Sequence, residues 1–292
     1  MQKITLQKRL RWFFGRLYFT IVFVGSITMT SILVKLLHLV PNYFVSLDRK
    51  QMLSSQISGL AFRLIVYLIP WLSIEYVPLS NSSSEPWSQL SKDSKPLVLI
   101  NHTSTFDAFF YSAMVPLNII KNIKTLAKSG VFSIPVLGSI LHSCGHFPVH
   151  FTKQTTVGSF SVDKEKQAIV LQKMEAHINK GYGISMFPEG QINRGNTTEL
   201  QSFRRGSFEI ARRHNMPIWC FIHTGIDQFW PMNVRTVGGF PAKIRWSLFK
   251  VENLNEDLEL NEWVSQLQTI IQEKLNILCL GLDLEEPLSS SL

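Results

Sequence analysis

Leu97-Val98-Leu99-Ile100-Asn101-His102-Thr103-Ser104-Thr105-Phe106-Asp107 passes from four consecutive aliphatic residues, through a polar turn-prone stretch, to an acidic residue that opens a second apolar run. Four uninterrupted aliphatics ended by Asn101 have the length and composition of a strand buried on both faces. Phe106 to Val115 then reads as a helix. Repeated along the chain, such an alternation of strand and helix implies an α/β sheet covered on both faces.

The alternation continues toward the C-terminus. Lys124 to Ala127 reads as a strand, Ile134 to His142 as a helix, and Gly145 to Phe151 as an extended piece. Lys164 to Asn179 places Ile169, Leu171, Met174 and Ile178 among charges and stops before Gly181, the pattern of an amphipathic helix. Strands are expected at 182–187, 217–222 and 243–249, with helices at 206–214 and 261–278. Upstream, 80–96 is rich in Ser, Asn and Pro and reads as a linker. The expected organisation is an N-terminal membrane-anchoring helical segment at 1–79, a linker at 80–95 and an α/β domain at 96–292.

The chain of 292 residues is 17% charged and 45% apolar, with a formal charge of +8 and a mean hydropathy of +0.10. That hydropathy is too high for a disordered chain and too low for a polytopic transporter. The positive charge is concentrated at one end. Lys3, Lys8, Arg9, Arg11, Arg16 and Lys35 precede the first acidic residue, Asp48, which leaves 23 basic against 21 acidic residues in the remainder. A nucleic-acid-binding domain needs a basic stripe that this remainder lacks. Cys144, Cys220 and Cys279 form no Cys-x-x-Cys pair and no disulfide framework, so a reducing compartment is expected.

Leu17 to Val34 runs 18 residues without a charge, about 27 Å as a helix and near the lower limit for spanning a bilayer. A second run, Leu64 to Ile74, has 11 uncharged residues and contains Pro70. It is too short to span and reads as an interfacial or re-entrant helix. Basic residues before the first run favour a cytoplasmic N-terminus. One simple span would then put the domain on the far side of the membrane. A helical hairpin over about 8–76, embedded in one leaflet, keeps the domain cytoplasmic. A signal peptide is the alternative, but the run is long and lacks a small-residue cleavage site.

His102 and Asp107 are the first residues with chemistry to offer. Five positions on a continuous helix differ by about 140°, so the two meet only if His102 lies in the loop and Asp107 in the first helical turn. The carboxylate would then receive one imidazole N–H and leave the other nitrogen as a general base. In the competing reading, Ser104 and Asp107 form a capping-box-like pair and His102 is incidental. A second motif, Met186-Phe187-Pro188-Glu189-Gly190-Gln191, delivers a carboxylate from a strand end onto a Pro/Gly turn, a place suited to binding a polyol.

With both motifs in place, Leu97 to Ile222 resembles the 1-acylglycerol-3-phosphate acyltransferases of the glycerolipid acyltransferase superfamily. Asn101 to Asp107 is similar to the family's first block. Lys128, Ile134-Pro135-Val136-Leu137-Gly138 and Gly145-His146-Phe147-Pro148-Val149 follow its second, Phe187 to Gly190 and Phe203-Arg204-Arg205-Gly206 its third, and Pro217-Ile218 its fourth. The resemblance implies a mixed central sheet flanked by helices, with a membrane-embedded helical hairpin at the N-terminus. It implies a general base His102 oriented by Asp107, and acceptor contacts from Glu189 and Gly190; Lys128 and Arg204, which match family positions, and Arg194, which does not, are further candidates for contact with the acceptor. The reaction it implies is O-acyl transfer to a lysophospholipid, giving phosphatidic acid from 1-acylglycerol-3-phosphate.

No cofactor is implied, the acyl-CoA or acyl carrier protein thioester being a co-substrate. The implied partners are the bilayer, the lysophospholipid and the acyl donor, with no nucleic acid. The implied location is membrane-associated with the domain on the cytoplasmic side, at the endoplasmic reticulum in a eukaryote or the inner membrane in a bacterium. Departures from the family pattern are Phe151 where an Arg usually stands, Gln191-Ile192 in place of Thr-Arg, and Cys220 in place of a second Pro. Lys128, His150, Lys153, Arg194, Arg204 and Arg205 remain to supply positive charge. A different lysophospholipid or a glycolipid is the alternative acceptor, and a non-catalytic lipid-binding protein of the same fold is the alternative class.

Other constellations carry less. His142, Cys144, His146 and His150 match no common zinc spacing and lack a fourth ligand on one strand face. No Gly-x-Ser-x-Gly elbow, P-loop or dinucleotide fingerprint occurs.

Overall fold

The computed structural model describes residues 6–79, 85–152, 162–234 and 237–281; Lys3, Lys153 and most of the linker's Ser/Asn run lie outside them. Among these residues, strands β1 (Leu72–Tyr76), β2 (Leu97–Ile100), β3 (Ile123–Lys128), β4 (Phe147–Val149), β5 (Gly183–Met186), β6 (Ile218–Thr224) and β7 (Ala242–Lys250) form one sheet. Their order is β1-β7-β6-β2-β5-β3-β4. Every pair is parallel except β6 with β7, so the sheet is mixed, as expected.

The helices are α1 (Leu6–Leu39), α2 (Leu47–Tyr67), α3 (Pro86–Leu90), α4 (Asp107–Met114), α5 (Leu117–Ile120), α6 (Ser129–Phe132), α7 (Leu137–Cys144), α8 (Lys164–Asn179), α9 (Gly206–Arg213), α10 (Ile226–Phe229) and α11 (Leu260–Leu280). The side chains of β2 show how they cover the sheet. Leu97 and Leu99 join one buried cluster with Ile178 of α8, Phe208 of α9 and Leu267 of α11. Val98 and Ile100 join another with Phe62 of α2 and Phe110 of α4. The two-residue period of a strand divides the aliphatic run between two cores, one on each face.

The N-terminal region departs from the sequence reading at its second apolar run. Helix α1 is 34 residues long, about 51 Å, and it contains the stretch Trp12–Leu39 that is long and apolar enough to cross a membrane. It pairs with α2 as a helical hairpin, whose connection is tied by Lys50 Nζ to Val40 O and to Asn42 Oδ1. The apolar run 64–74, expected as one interfacial helix, is divided: its first part ends α2 and its last part begins β1. Pro70 lies between them, where a residue without an N–H cannot continue the helix. β1 then pairs with β7, so the segment preceding the linker supplies an edge strand of the sheet.

The hairpin is also part of the folded body. Phe19 and Phe23 of α1 are buried against Phe106 and Phe109, with ring centroids 5.9 Å and 5.1 Å apart for the Phe19–Phe106 and Phe23–Phe109 pairs. On another face of α1, Phe13, Phe14, Ile21, Met29 and Leu36 are exposed.

Candidate active site

The three central parallel strands β6, β2 and β5 end side by side, and each end delivers a polar group to the same place. The carboxyl ends of parallel strands are the usual location of sites in open α/β sheets, because the chain turns away there and leaves a crevice. β2 delivers Asn101 and His102, β5 delivers Phe187 to Gly190, and β6 delivers His223. Lys128 ends the neighbouring β3.

His102 and Asp107 meet. Nδ1 of His102 lies 2.9 Å from Oδ2 of Asp107, whose side chain is fully buried while that of His102 is 18% exposed. The same Oδ2 accepts from the backbone N–H groups of Thr103, at 2.6 Å, and Ser104, at 2.8 Å. The N–H of Phe106 donates to Ser104 Oγ at 3.2 Å. The capping geometry and the His–Asp pair are therefore the same structure: the carboxylate that closes the loop also orients the imidazole. With Nδ1 engaged by a carboxylate, the proton sits on Nδ1 and the lone pair on Nε2. The imidazole stacks on Phe187, centroid to centroid 4.1 Å.

Glu189 stands differently from the expected acceptor contact. It is buried and does not line the cavity beside His102. Oε1 accepts from the backbone N–H of His102 at 2.8 Å and Oε2 from that of Gln201 at 3.0 Å. Burial raises its pKa, against the lowering effect of those two N–H groups. The carbonyl of His102 accepts from Asn193 N–H at 2.7 Å, so both backbone groups of His102 are held by the loop that follows β5. Gly190 has φ +69°, and a Cβ there would lie 2.9 Å from Arg204 Cγ; glycine lets the 203–206 segment close over the turn.

A cavity of about 740 Å³ opens beside His102, within the usual size range of small-molecule sites. Its walls are mainly apolar, including Phe109, Leu126, Leu137, Ile140 and Met186. Helix α2 contributes Ser55, Ser58 and Phe62, so the N-terminal hairpin completes the cavity as well as packing on the sheet. Of the expected acceptor residues, Lys128, Gly190 and Arg204 line it together with His102. Arg194 is exposed and lies outside the lining, as do His150 and Arg205. Lys128 Nζ is 6.0 Å from the centre of the Phe151 ring, so the residue standing where the family has Arg is a neighbour of this lysine.

Two contributors escape sequence reading. Lys164, at the start of α8, lines the cavity, and nothing in its amphipathic pattern separates it from other surface lysines. His223, a lone histidine in an apolar strand, is fully buried behind Asp107. Among the described residues no group of three or more His, Cys, Asp or Glu is arranged to hold a metal ion. His146 instead accepts from Thr125 N–H at 3.0 Å, with its pKa lowered by burial to about 4.

The chain is similar to known acyltransferases. The Acyltransferase family model matches residues 83–223. A 1-acyl-sn-glycerol-3-phosphate acyltransferase from Brassica napus chloroplasts is 26% identical over 149 residues, 51% of this chain and 38% of that protein. One from Borreliella burgdorferi is 24% identical over 223 residues, 75% of this chain and 78% of that protein. The chain thus spans well under half the length of the chloroplast relative and most of the bacterial one. The crystal structure of the 1-acyl-sn-glycerophosphate (LPA) acyltransferase PlsC from Thermotoga maritima shares the fold, with a TM-score of 0.61, 16% identity, and coverage of 92% of this chain and 97% of that one.

Proposed function

We propose that this chain, which matches the Acyltransferase family model over residues 83–223 and is similar to 1-acyl-sn-glycerol-3-phosphate acyltransferases, transfers a fatty acyl group from a thioester to the free hydroxyl of 1-acylglycerol-3-phosphate, giving phosphatidic acid. The observation that carries this reading is the His102–Asp107 pair at an apolar cavity whose wall also holds Lys128 and Arg204. The apolar walls suit the acyl chain, and the two cations suit the acceptor phosphate.

In the proposed reaction, Nε2 of His102 takes the acceptor's hydroxyl proton as its oxygen attacks the thioester carbonyl. The tetrahedral intermediate collapses with cleavage of the C–S bond, and the thiolate takes the proton back from His102. Asp107 keeps the ring in position and stabilises the imidazolium between these steps. No serine nucleophile is needed, because the thioester is already activated. Acyl-CoA or an acyl carrier protein is the donor. The exposed apolar face of α1 lies in the membrane, with the domain on the cytoplasmic side, and the lysolipid reaches His102 from the bilayer.

Purified full-length protein assayed with an acyl thioester tests the reading. Acylation of lysophosphatidic acid in preference to lysophosphatidylcholine and a lysoglycolipid is expected. Preference for a neutral or zwitterionic acceptor overturns the choice of acceptor, and absence of transfer to any of them overturns the reaction. In sealed vesicles, a C-terminal tag open to protease from the cytoplasmic side is expected.

A further inference from the structure

The buried histidine behind Asp107 has a tautomer that its surroundings dictate. Nε2 of His223 lies 3.0 Å from the carbonyl oxygen of Asn101. A carbonyl only accepts, so Nε2 carries the hydrogen. Nδ1 is left as a buried lone pair with no hydrogen-bond partner among the described residues. The position of the ring is enforced from the backbone. Asn101 Nδ2 donates to His223 O at 3.0 Å, and His223 N–H donates to Asn101 Oδ1 at 2.9 Å. These bonds clasp the ends of β2 and β6 together.

The same Nε2 lies 3.6 Å from Oδ1 of Asp107. That is too long for a hydrogen bond, yet within range for a fully buried N–H dipole to act on a fully buried carboxylate oxygen. Oδ1 has no hydrogen-bond partner among the described residues, whereas Oδ2 has three. Asp107 therefore stands between two histidines, bonded to His102 through one oxygen and faced by His223 through the other.

We propose that His223 is a positioning residue for the acyl transfer: its Nε2–H, fixed by Asn101, holds the Asp107 carboxylate in the charge and orientation that His102 requires. The proposal rests on the reading of His102 as general base. The sign of its effect follows from electrostatics. The positive end of an N–H dipole disfavours adding a proton to the His102–Asp107 pair, whichever partner receives it. Removing the dipole makes the pair take up its proton at higher pH, and the protonated pair is inactive as a base. The titratable groups acting on His223 are Asp107, His102 and Asp227. From β7 and α4 it is faced by Trp246 and Phe110, which do not titrate in this range.

The test compares His223→Leu, which fills the space without a donor, with His223→Gln, which returns an N–H near the position of Nε2. Acyl transfer by the full-length protein is followed against pH. For His223→Leu, a fall in kcat with little change in KM is expected, and the acid limb of kcat/KM should move up by roughly half to one pH unit. His223→Gln should recover most of both. Folded His223→Leu with the acid limb unmoved, or His223→Gln no better than His223→Leu, overturns the proposal. Should His223→Leu fail to fold, 15N spectra of imidazole-labelled native protein decide: an Nε2–H tautomer for His223 supports the assignment and an Nδ1–H tautomer overturns it. Failure of the wider reading is distinct, because wild-type protein would then transfer no acyl group, or His102→Ala would remain active.

Discussion

The backbone N–H of His102 donates a 2.8 Å hydrogen bond to Oε1 of Glu189, a side chain 87 positions further along the chain. This bond joins the loop after β2 to the turn after β5, and Oε2 extends it to Gln201. Glu189→Ala leaves two partly buried N–H groups without acceptors. A stability loss of about 1–3 kcal/mol is expected, together with reduced kcat because the His102 loop is released. Denaturant titration and acyl transfer on the same preparation check both.

The loss should depend on pH. Burial raises the pKa of Glu189. A carboxyl raised on folding contributes stability that is complete below its unfolded pKa and declines as pH rises toward its folded pKa, because the native state then holds the proton more tightly than the unfolded chain. The stability gap between wild type and Glu189→Ala should therefore narrow as pH rises from about 4 into the mildly acidic range. A gap that widens over this interval would show that the two N–H groups outweigh burial.

Removing the two members of the His–Asp pair should have different consequences. His102→Ala deletes a side chain that is partly exposed, so acyl transfer should fall by about 10²–10⁴-fold with little change in stability. Asp107→Ala also strips the acceptor from Thr103 N–H and Ser104 N–H in a fully buried place. It should lose activity and about 2 kcal/mol of stability or more. Equal stability of the two variants contradicts the role assigned to the carboxylate.

Val136 is a β-branched residue at φ +69°, in the tight turn where Leu137 N–H bonds to Pro135 O at 2.8 Å. Such a conformation costs on the order of 1–3 kcal/mol, and glycine adopts it freely at an entropic cost of about 0.5–1 kcal/mol. Val136→Gly should raise the melting temperature. Gly138→Ala should lower it, because a Cβ there would overlap the carbonyl oxygen of Phe132.

The two faces of α1 make separable predictions. Phe19 is fully buried on the domain, so Phe19→Ala should cost about 3–5 kcal/mol. Ile21 is 65% exposed, so Ile21→Asp should leave the fold intact and weaken binding to phospholipid vesicles in flotation. Unchanged flotation would place the membrane contact elsewhere.

Much of the architecture is legible in local pattern. Helix α8 spans Lys164–Asn179, as its apolar spacing and the following glycine require, and the buried strands stand out as aliphatic runs. β1 is hidden because its first residues, Leu72 to Ile74, are the tail of the apolar run from Leu64, and only its pairing with β7 makes it a strand. In the site, His102 and Asp107 are legible because their meeting depends on one short loop. Glu189 is legible as a residue of interest but not in its orientation, which is set by backbone donors at His102 and Gln201.

Periodicity along the chain is enough for the α/β class and the apolar N-terminal helix, whereas the spacing of His102 and Asp107 leaves their pairing open against a simple capping role, and the resemblance to the acyltransferases favours it. That α2 walls the cavity, that Glu189 holds the His102 backbone and that His223 stands behind Asp107 emerge from the folded arrangement alone. The reason is physical. A parallel sheet brings together strand ends separated by roughly a hundred residues, and a buried polar group takes whichever partner that convergence supplies.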